Sequence, residues 1–289
     1  MKYILGDNPF FGVNHRTGSK NLIDQDTRFN MAIDVIEHGI SNGFSGLMIS
    51  AHEEGQLLLK KYQEKLGPKN IDLSLQLVVP YPHTVNDLVA KYGYVGAVQN
   101  IMGSTKLTIV LDLVRLLFVG RKKQRKTIIK NYLLSEQKNF ESKNIKIESF
   151  CLHNVFCDLF IGLRRPDLII EFIDVCDEIG INPVLISQNP TFVMNLETNT
   201  PYVTCFTYNR LGYMVNPSLD DVKEAIIAGD RNKHNKLWAM QVLASGNISP
   251  NLALEDPFLN YFDGMLYATT KKNRIFDFTN KIKKHTITE

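Results

Sequence analysis

The 289-residue chain contains no uncharged apolar run of the roughly 18–20 residues that would span a bilayer. It has four cysteines, Cys151, Cys157, Cys176 and Cys205, with no CxxC pair and no zinc-like spacing. They read as reduced thiols, and with a start at Met1-Lys2-Tyr3-Ile4 that leads into a strand, the expected location is the cytoplasm. Charge of one sign is also scarce: the formal net charge is +3, far from the basic excess of a nucleic-acid binder, so no nucleic acid is expected as a partner. Low-complexity linkers and internal repeats are missing, which argues for one domain over residues 1–289. What is present is enough apolar material for a core, 44% of residues with 10% aromatic.

Short apolar runs alternate with helix-period segments. Strands are predicted around Ile4-Leu5, Leu47–Ile49, Leu73–Leu77, Ile145–Leu152, Val184–Ile186, Val203–Phe206, Leu237–Val242 and Met265–Tyr267. Between them Phe29, Ala32, Ile33, Ile36 and Ile40 recur at helical spacing, as do Ile169, Ile170, Ile173 and Cys176. Further helices are expected over Leu58–Leu66, after a capping-box-like Thr84/Asp87, after a Ser218 cap, and from Asn273 to Lys284. Eight strands, most followed by a helix, predict an α/β fold, a (βα)8 barrel. An open doubly wound sheet is the rival, and no GxGxxG follows the first strand.

One segment breaks the rhythm. About sixty residues separate the third and fourth strands, beyond an ordinary crossover. Leu107–Val119 is apolar apart from Thr108, Asp112 and Arg115, and Arg121–Lys126 is a basic run. Residues 104–139 are therefore expected to form a helical insertion outside the barrel. Its apolar face would pack on the barrel or on a second copy of the chain. A membrane surface or an acidic partner is the alternative contact.

Barrels of this kind carry chemistry at the C-terminal ends of their strands. His15, His52, His83 and His153 follow the first four strands, whereas His38, His234 and His285 fall elsewhere. Period-two alternation aims Met48, Ser50 and His52 inward and leaves Leu47 and Ile49 to the helices. In the same way Ser149, Cys151 and His153 share one face, and Ser74 and Gln76 share another. Asp7 and Asn8 end the first strand, Glu53 and Glu54 follow His52, and Asn154 follows His153. Gln188, Tyr208, Arg210 and Ser245 follow later strands, and Lys271 and Arg274 follow the last, where such barrels hold phosphate.

The expected catalytic set is His153 and His52 as acid and base with Asp7 or Glu53. Asn8, His15, Gln76, His83, Asn154, Gln188, Tyr208, Arg210, Ser245, Lys271 and Arg274 are the candidate substrate contacts. No metal is required by this set, although His52, His83 and His153 form the alternative, a divalent-metal site.

Three stretches resemble the aldo-keto reductase barrel: NGFSGLMISAHEEGQLLLKKY over the second strand, IESFCLHN over the fourth, and LYATTKKNRIFDFTN at the end. The opening LGDNPFFGVNHR resembles uncharacterised barrel proteins grouped with that family. The resemblance implies a (βα)8 fold and NADPH as cofactor, with His153 at the family's histidine position and Thr269, Lys271 and Arg274 around the cofactor phosphate. The family's other catalytic groups have no counterpart here. Ile49-Ser50-Ala51 stands in place of its Asp-Thr-Ala stretch, Glu54 lies near its Tyr, and Val78 or Val79 ends the third strand where its Lys belongs.

Two enzymatic readings and one non-enzymatic reading follow. The first is a metabolic enzyme using histidine and carboxylate acid–base chemistry on a small polar, phosphorylated or sugar-like carbonyl compound, as a lyase, isomerase or hydrolase. The alternative is a divergent NADPH-dependent reductase whose proton donor is replaced by His52 or Tyr81. The third is a non-catalytic binding subunit that uses the basic insertion as its contact.

Overall fold

The structure, a computed structural model, describes residues 1–12, 23–66, 72–81 and 120–287. Eight parallel strands close on themselves in chain order: β1 (Lys2–Gly6), β2 (Leu47–Ser50), β3 (Leu73–Val79), β4 (Ile145–Leu152), β5 (Asn182–Ile186), β6 (Tyr202–Thr207), β7 (Asn235–Met240) and β8 (Gly264–Tyr267). The seam is the β1–β8 pairing, Lys2 opposite Gly264 through Leu5 opposite Tyr267. The (βα)8 barrel expected from the sequence is the fold observed.

Alternation sorts each strand between two cores. Ile4, Met48, Val78, Cys151, Val184, Ile186, Val203, Cys205 and Trp238 fill the lumen. Their neighbours Leu5, Leu47, Ile49, Leu77, Phe150, Leu185, Phe206 and Ala239 face the helices. The floor of the lumen is polar. Lys2 pairs with Glu148, which also accepts from Ser74 Oγ at 2.5 Å and Gln76 Nε2 at 3.0 Å. Lys2 Nζ also lies 5.8 Å from the Trp238 ring centroid. Burial pushes the Glu148 carboxyl upward, but the three donors outweigh it and hold the group below its ordinary range.

The outer layer is built from α1 (Gln25–Ser41), α2 (Glu53–Leu66), α3 (Lys122–Phe140), α4 (Asn154–Gly162), α5 (Pro166–Glu178), α6 (Pro190–Met194), α7 (Leu219–Ile227), α8 (Pro250–Leu254) and α9 (Lys272–Ile287). Local chemistry sets their ends. Asp24 caps α1 by accepting from Thr27 N, and Ser218 caps α7 by accepting from Asp221 N. The fourth of the paired strands carries a register shift against β3 between Leu75 and Gln76.

Of the expected insertion 104–139, the described part begins at Gly120 and holds the basic run. The run opens α3, a helix of the barrel layer packed on α5 and β4. Arg125 is buried and bonds Glu171 through Nε at 2.9 Å and Nη2 at 2.5 Å, with Asp167 at 3.2 Å. Lys126 pairs with Glu178 and Asp174, and Lys122 with Asp174. Three charges of the basic run, Lys122, Arg125 and Lys126, are thus matched by acids of α5. Residues 104–119, including Leu107–Val119, lie outside the described residues, as does the Thr84/Asp87 helix start. Among the described residues no helix is long and apolar enough to cross a membrane.

Candidate active site

The C-terminal ends of the strands form the rim on which the predicted residues are placed. Asp7 leaves β1 and is buried at 6% exposure, with Oδ2 accepting from Ser50 N, at the end of β2, at 2.8 Å. Burial pushes its carboxyl up from 3.8 to about 6, against the lowering effect of the Ser50 hydrogen bonds. The next residue, Asn8, opens a single turn, Asn8–Phe11, that brings Phe11 back over the rim.

His52 stands between β2 and α2. Its Nδ1 accepts from Gly55 N at 3.1 Å, so the imidazole caps the helix that follows. Its ring lies 4.4 Å from that of Phe11, edge-on, and 4.6 Å from that of Tyr81 just beyond β3. Tyr81, an aromatic after a buried strand end, therefore joins the rim set. His153 repeats the arrangement after β4: its Nδ1 accepts from Val155 N at 3.1 Å and caps α4, whose first residue is Asn154. Glu53 is exposed in the first turn of α2. The structure thus puts Asp7, His52, Tyr81 and His153 at the ends of four successive strands.

At the end of β5, Ser187 Oγ donates to Asp158 Oδ1 at 2.6 Å and Gln188 N donates to Asp158 Oδ2 at 3.0 Å. Asp158, on α4, therefore braces the loop that carries Gln188. The sequence analysis missed both Ser187 and Asp158, although a lone acid within the otherwise apolar helix Asn154–Gly162 is the signal that could have found it. At the tops of β6 and β7, Thr207 Oγ1 and Gln241 Oε1 are buried without a hydrogen-bond partner among the described residues. Alternation from Val203 and Cys205 turns Thr207 toward the lumen.

The remaining expected contacts are spread over the floor, the core and the surface of the barrel. Gln76 belongs to the polar floor, because its amide serves Glu148. Tyr208 is 1% exposed, donates to Asp256 Oδ2 at 2.8 Å and stacks on Phe258, so it is a core aromatic. The guanidinium of Arg210 reaches outward to the Leu252 carbonyl at 3.0 Å. Ser245 Oγ meets the Tyr213 hydroxyl at 3.2 Å. Lys271 and Arg274 are exposed beside the start of α9, whose first turn holds no acid, and Thr269 Oγ1 fixes the turn by accepting from Lys271 N at 3.1 Å. His15 and His83 lie outside the described residues. Among the described residues no group of three His, Cys, Asp or Glu side chains converges as a metal site.

No protein-family model matches the chain, and no curated protein matches it in sequence. Solved structures do. A putative aldo-keto reductase from Pseudomonas aeruginosa superposes with a TM-score of 0.59 at 14% identity, over 96% of this chain and 88% of that one. A second structure, also described as a putative aldo-keto reductase from that organism, gives a TM-score of 0.55 at 12% identity, over 97% and 90%. At these identities the likeness is one of fold, and the chain is a divergent aldo-keto reductase-like barrel in that sense. The first functional reading is corrected by it. Neighbours of this fold that align over nearly the whole chain are described as putative aldo-keto reductases, which fits the alternative reading better than a lyase, isomerase or hydrolase.

Proposed function

We propose that this barrel is a nicotinamide-dependent oxidoreductase acting on the carbonyl or alcohol group of a small polar molecule. The observation that carries the reading is the rim itself: His153 at the end of β4, with His52 and Tyr81 in ring contact on the neighbouring strands, in a barrel shared with putative aldo-keto reductases.

The residues present fit the cofactor at two places. Cations gather at the start of α9, Lys271, Lys272 and Arg274, where the helix dipole already disfavours positive charge. A phosphate group there would relieve that repulsion and be held by charge-assisted hydrogen bonds. The orphaned Thr207 Oγ1 and Gln241 Oε1 would gain partners from a bound polar ring substituent.

When bound, the dinucleotide supplies the hydride. The chain must supply orientation and a proton. His153 orients the substrate oxygen. The proton donor sits where β2 and β3 end, with the Tyr81 phenol and the His52 imidazole as its two candidates. Asp7 holds the Ser50 backbone, and with it the segment that leads to His52. Asp158 holds the Gln188 loop in the same manner. All four cysteines are buried and unbridged, which supports a reducing, cytoplasmic location.

Fluorescence titration with NADPH and NADH tests the reading. Binding is expected, and Lys271→Ala with Arg274→Ala should weaken NADPH by tenfold or more, the equivalent of losing about 1.5–3 kcal/mol of charged hydrogen bonding. No binding of either nucleotide at millimolar concentration overturns the assignment.

A further inference from the structure

In a (βα)8 barrel a helix covers the outside of each pair of neighbouring strands. Between β5 and β6 that cover is short. The five residues of α6 make about 8 Å of helix, against about 20 Å for the six residues of β6 and about 20 Å for the thirteen residues of α5 beside it. The outer layer is left with a groove of about 560 Å³. Pro166 and Ile170 of α5 form one wall, and Phe192 and Leu196 form the other. Val193 and Met194 of α6 are fully buried, whereas the Phe192 ring is 46% exposed over the groove.

The second wall is fixed from the next crossover. Asn232 Nδ2 donates to the carbonyls of Leu196 and Thr198 at 2.9 and 3.0 Å, and Asn232 N donates to that of Met194 at 2.8 Å. The Tyr202 hydroxyl donates to the Val193 carbonyl at 2.9 Å. A groove built on such bonds is already in place before anything binds to it. The charged residues that line it are both acids, Glu197 and Asp230. Both are exposed, and neither carboxylate has an ion-pair partner among the described residues. An apolar groove flanked by unpaired negative charge is the complement of a helix whose apolar stripe is flanked by Lys or Arg. A second copy of this chain offers no such helix among the described residues. Lys122, Arg125 and Lys126 of α3 are paired with α5, and α9 already buries Ile275 and Phe278.

We propose that this groove is a docking site for a basic amphipathic helix of another protein, which lies beside α5 where a longer α6 would run and completes the outer layer. Its apolar stripe covers Ile170, Phe192 and Leu196, and its cations meet Glu197 and Asp230. The site is on the outer wall of the barrel and does not depend on the chemistry at the rim.

The test uses the full chain and a synthetic helix of leucine and lysine, about 14 residues or some four turns long, with leucines at positions i, i+3, i+4 and i+7. A second peptide has glutamate in place of every lysine. Fluorescence anisotropy should show saturable binding of the lysine peptide and none of the glutamate peptide. Phe192→Ser should weaken the lysine peptide about tenfold, as expected for loss of an exposed aromatic anchor. Glu197→Lys combined with Asp230→Lys should weaken it at least as much and transfer binding to the glutamate peptide. Hydrogen exchange on the unaltered chain needs no variant: the lysine peptide should protect residues 166–170 and 191–197. No binding of the lysine peptide, equal binding of both peptides, affinities unmoved by these substitutions, or protection confined to other segments each overturns the proposal. A chain that sediments as a dimer and becomes a monomer with Phe192→Ser also overturns it, because the groove is then covered by a second copy.

Discussion

Replacing Asp7 with asparagine should stabilise the fold at neutral pH and leave it unchanged in acid. Asp7 is buried at the end of β1, and burial pushes its carboxyl from 3.8 up to about 6. The folded chain therefore holds the Asp7 proton more tightly than the unfolded chain. The stability this contributes is full below pH 3.8 and is lost as the pH rises through about 6. Two and a fraction pH steps, at about 1.4 kcal/mol each, put the cost of the ionised form at about 3 kcal/mol by pH 8. Asparagine has the same shape, stays neutral, and can accept from Ser50 N through Oδ1. Urea unfolding between pH 4 and pH 8, followed by the fluorescence of Trp238, the chain's one tryptophan and a residue of the lumen, measures the difference directly. The variant should match the wild type near pH 4 and exceed it by about 3 kcal/mol at pH 8, a rise in Tm of several degrees. A difference that does not change with pH, or a variant that is weaker at pH 8, would refute the reasoning. An acid that costs the fold stability at neutral pH is the kind of group expected at a working site.

Three further outcomes follow from the packing. Gly46→Ala would put a Cβ 2.2 Å from the Ser74 carbonyl oxygen, so β2 and β3 must part, and urea unfolding should register a loss of about 2–3 kcal/mol. Arg125→Ala leaves the Glu171 carboxylate buried without its main partner and should cost about 3–5 kcal/mol, whereas Arg125→Met combined with Glu171→Leu should recover most of that loss in the same assay. Glu136→Gln should stabilise the chain as pH rises through 7, because burial pushes that carboxyl up to about 7, and urea unfolding at pH 6 and pH 8 measures the gain.

The barrel was legible because its signal is periodic. Leu47, Met48 and Ile49 already separate into helix-facing and lumen-facing sets by alternation, and Phe150, Cys151 and Leu152 repeat the pattern two strands away. Alternation assigns a face but not a depth, which is why Gln76, on the expected face, serves the floor of the barrel instead of its rim. Residues that owe their place to a distant partner were not legible. Tyr208 is drawn into the core by Asp256 and Phe258, and Asp158 meets Ser187 across the gap between α4 and β5. The partners of the basic run were hidden for the same reason, since the acids that pair with Arg125 and Lys126 lie about forty-five residues further on, in α5.

The motif missing from the ends of β2 and β3 concerns which strand carries a group, and the barrel itself does not depend on it. Neighbouring strand ends stand about 4.8 Å apart, so a side chain released from β3 can reach a point otherwise served from β2. The 4.6 Å between the His52 and Tyr81 rings shows that the ends of these two strands do converge on one place. A side chain beyond β3 can therefore lie beside one beyond β2 without any change in the barrel beneath it. The capped imidazole of His52, with Phe11 and Gly55 restricting its ring, is held beside the Tyr81 ring on the adjacent strand.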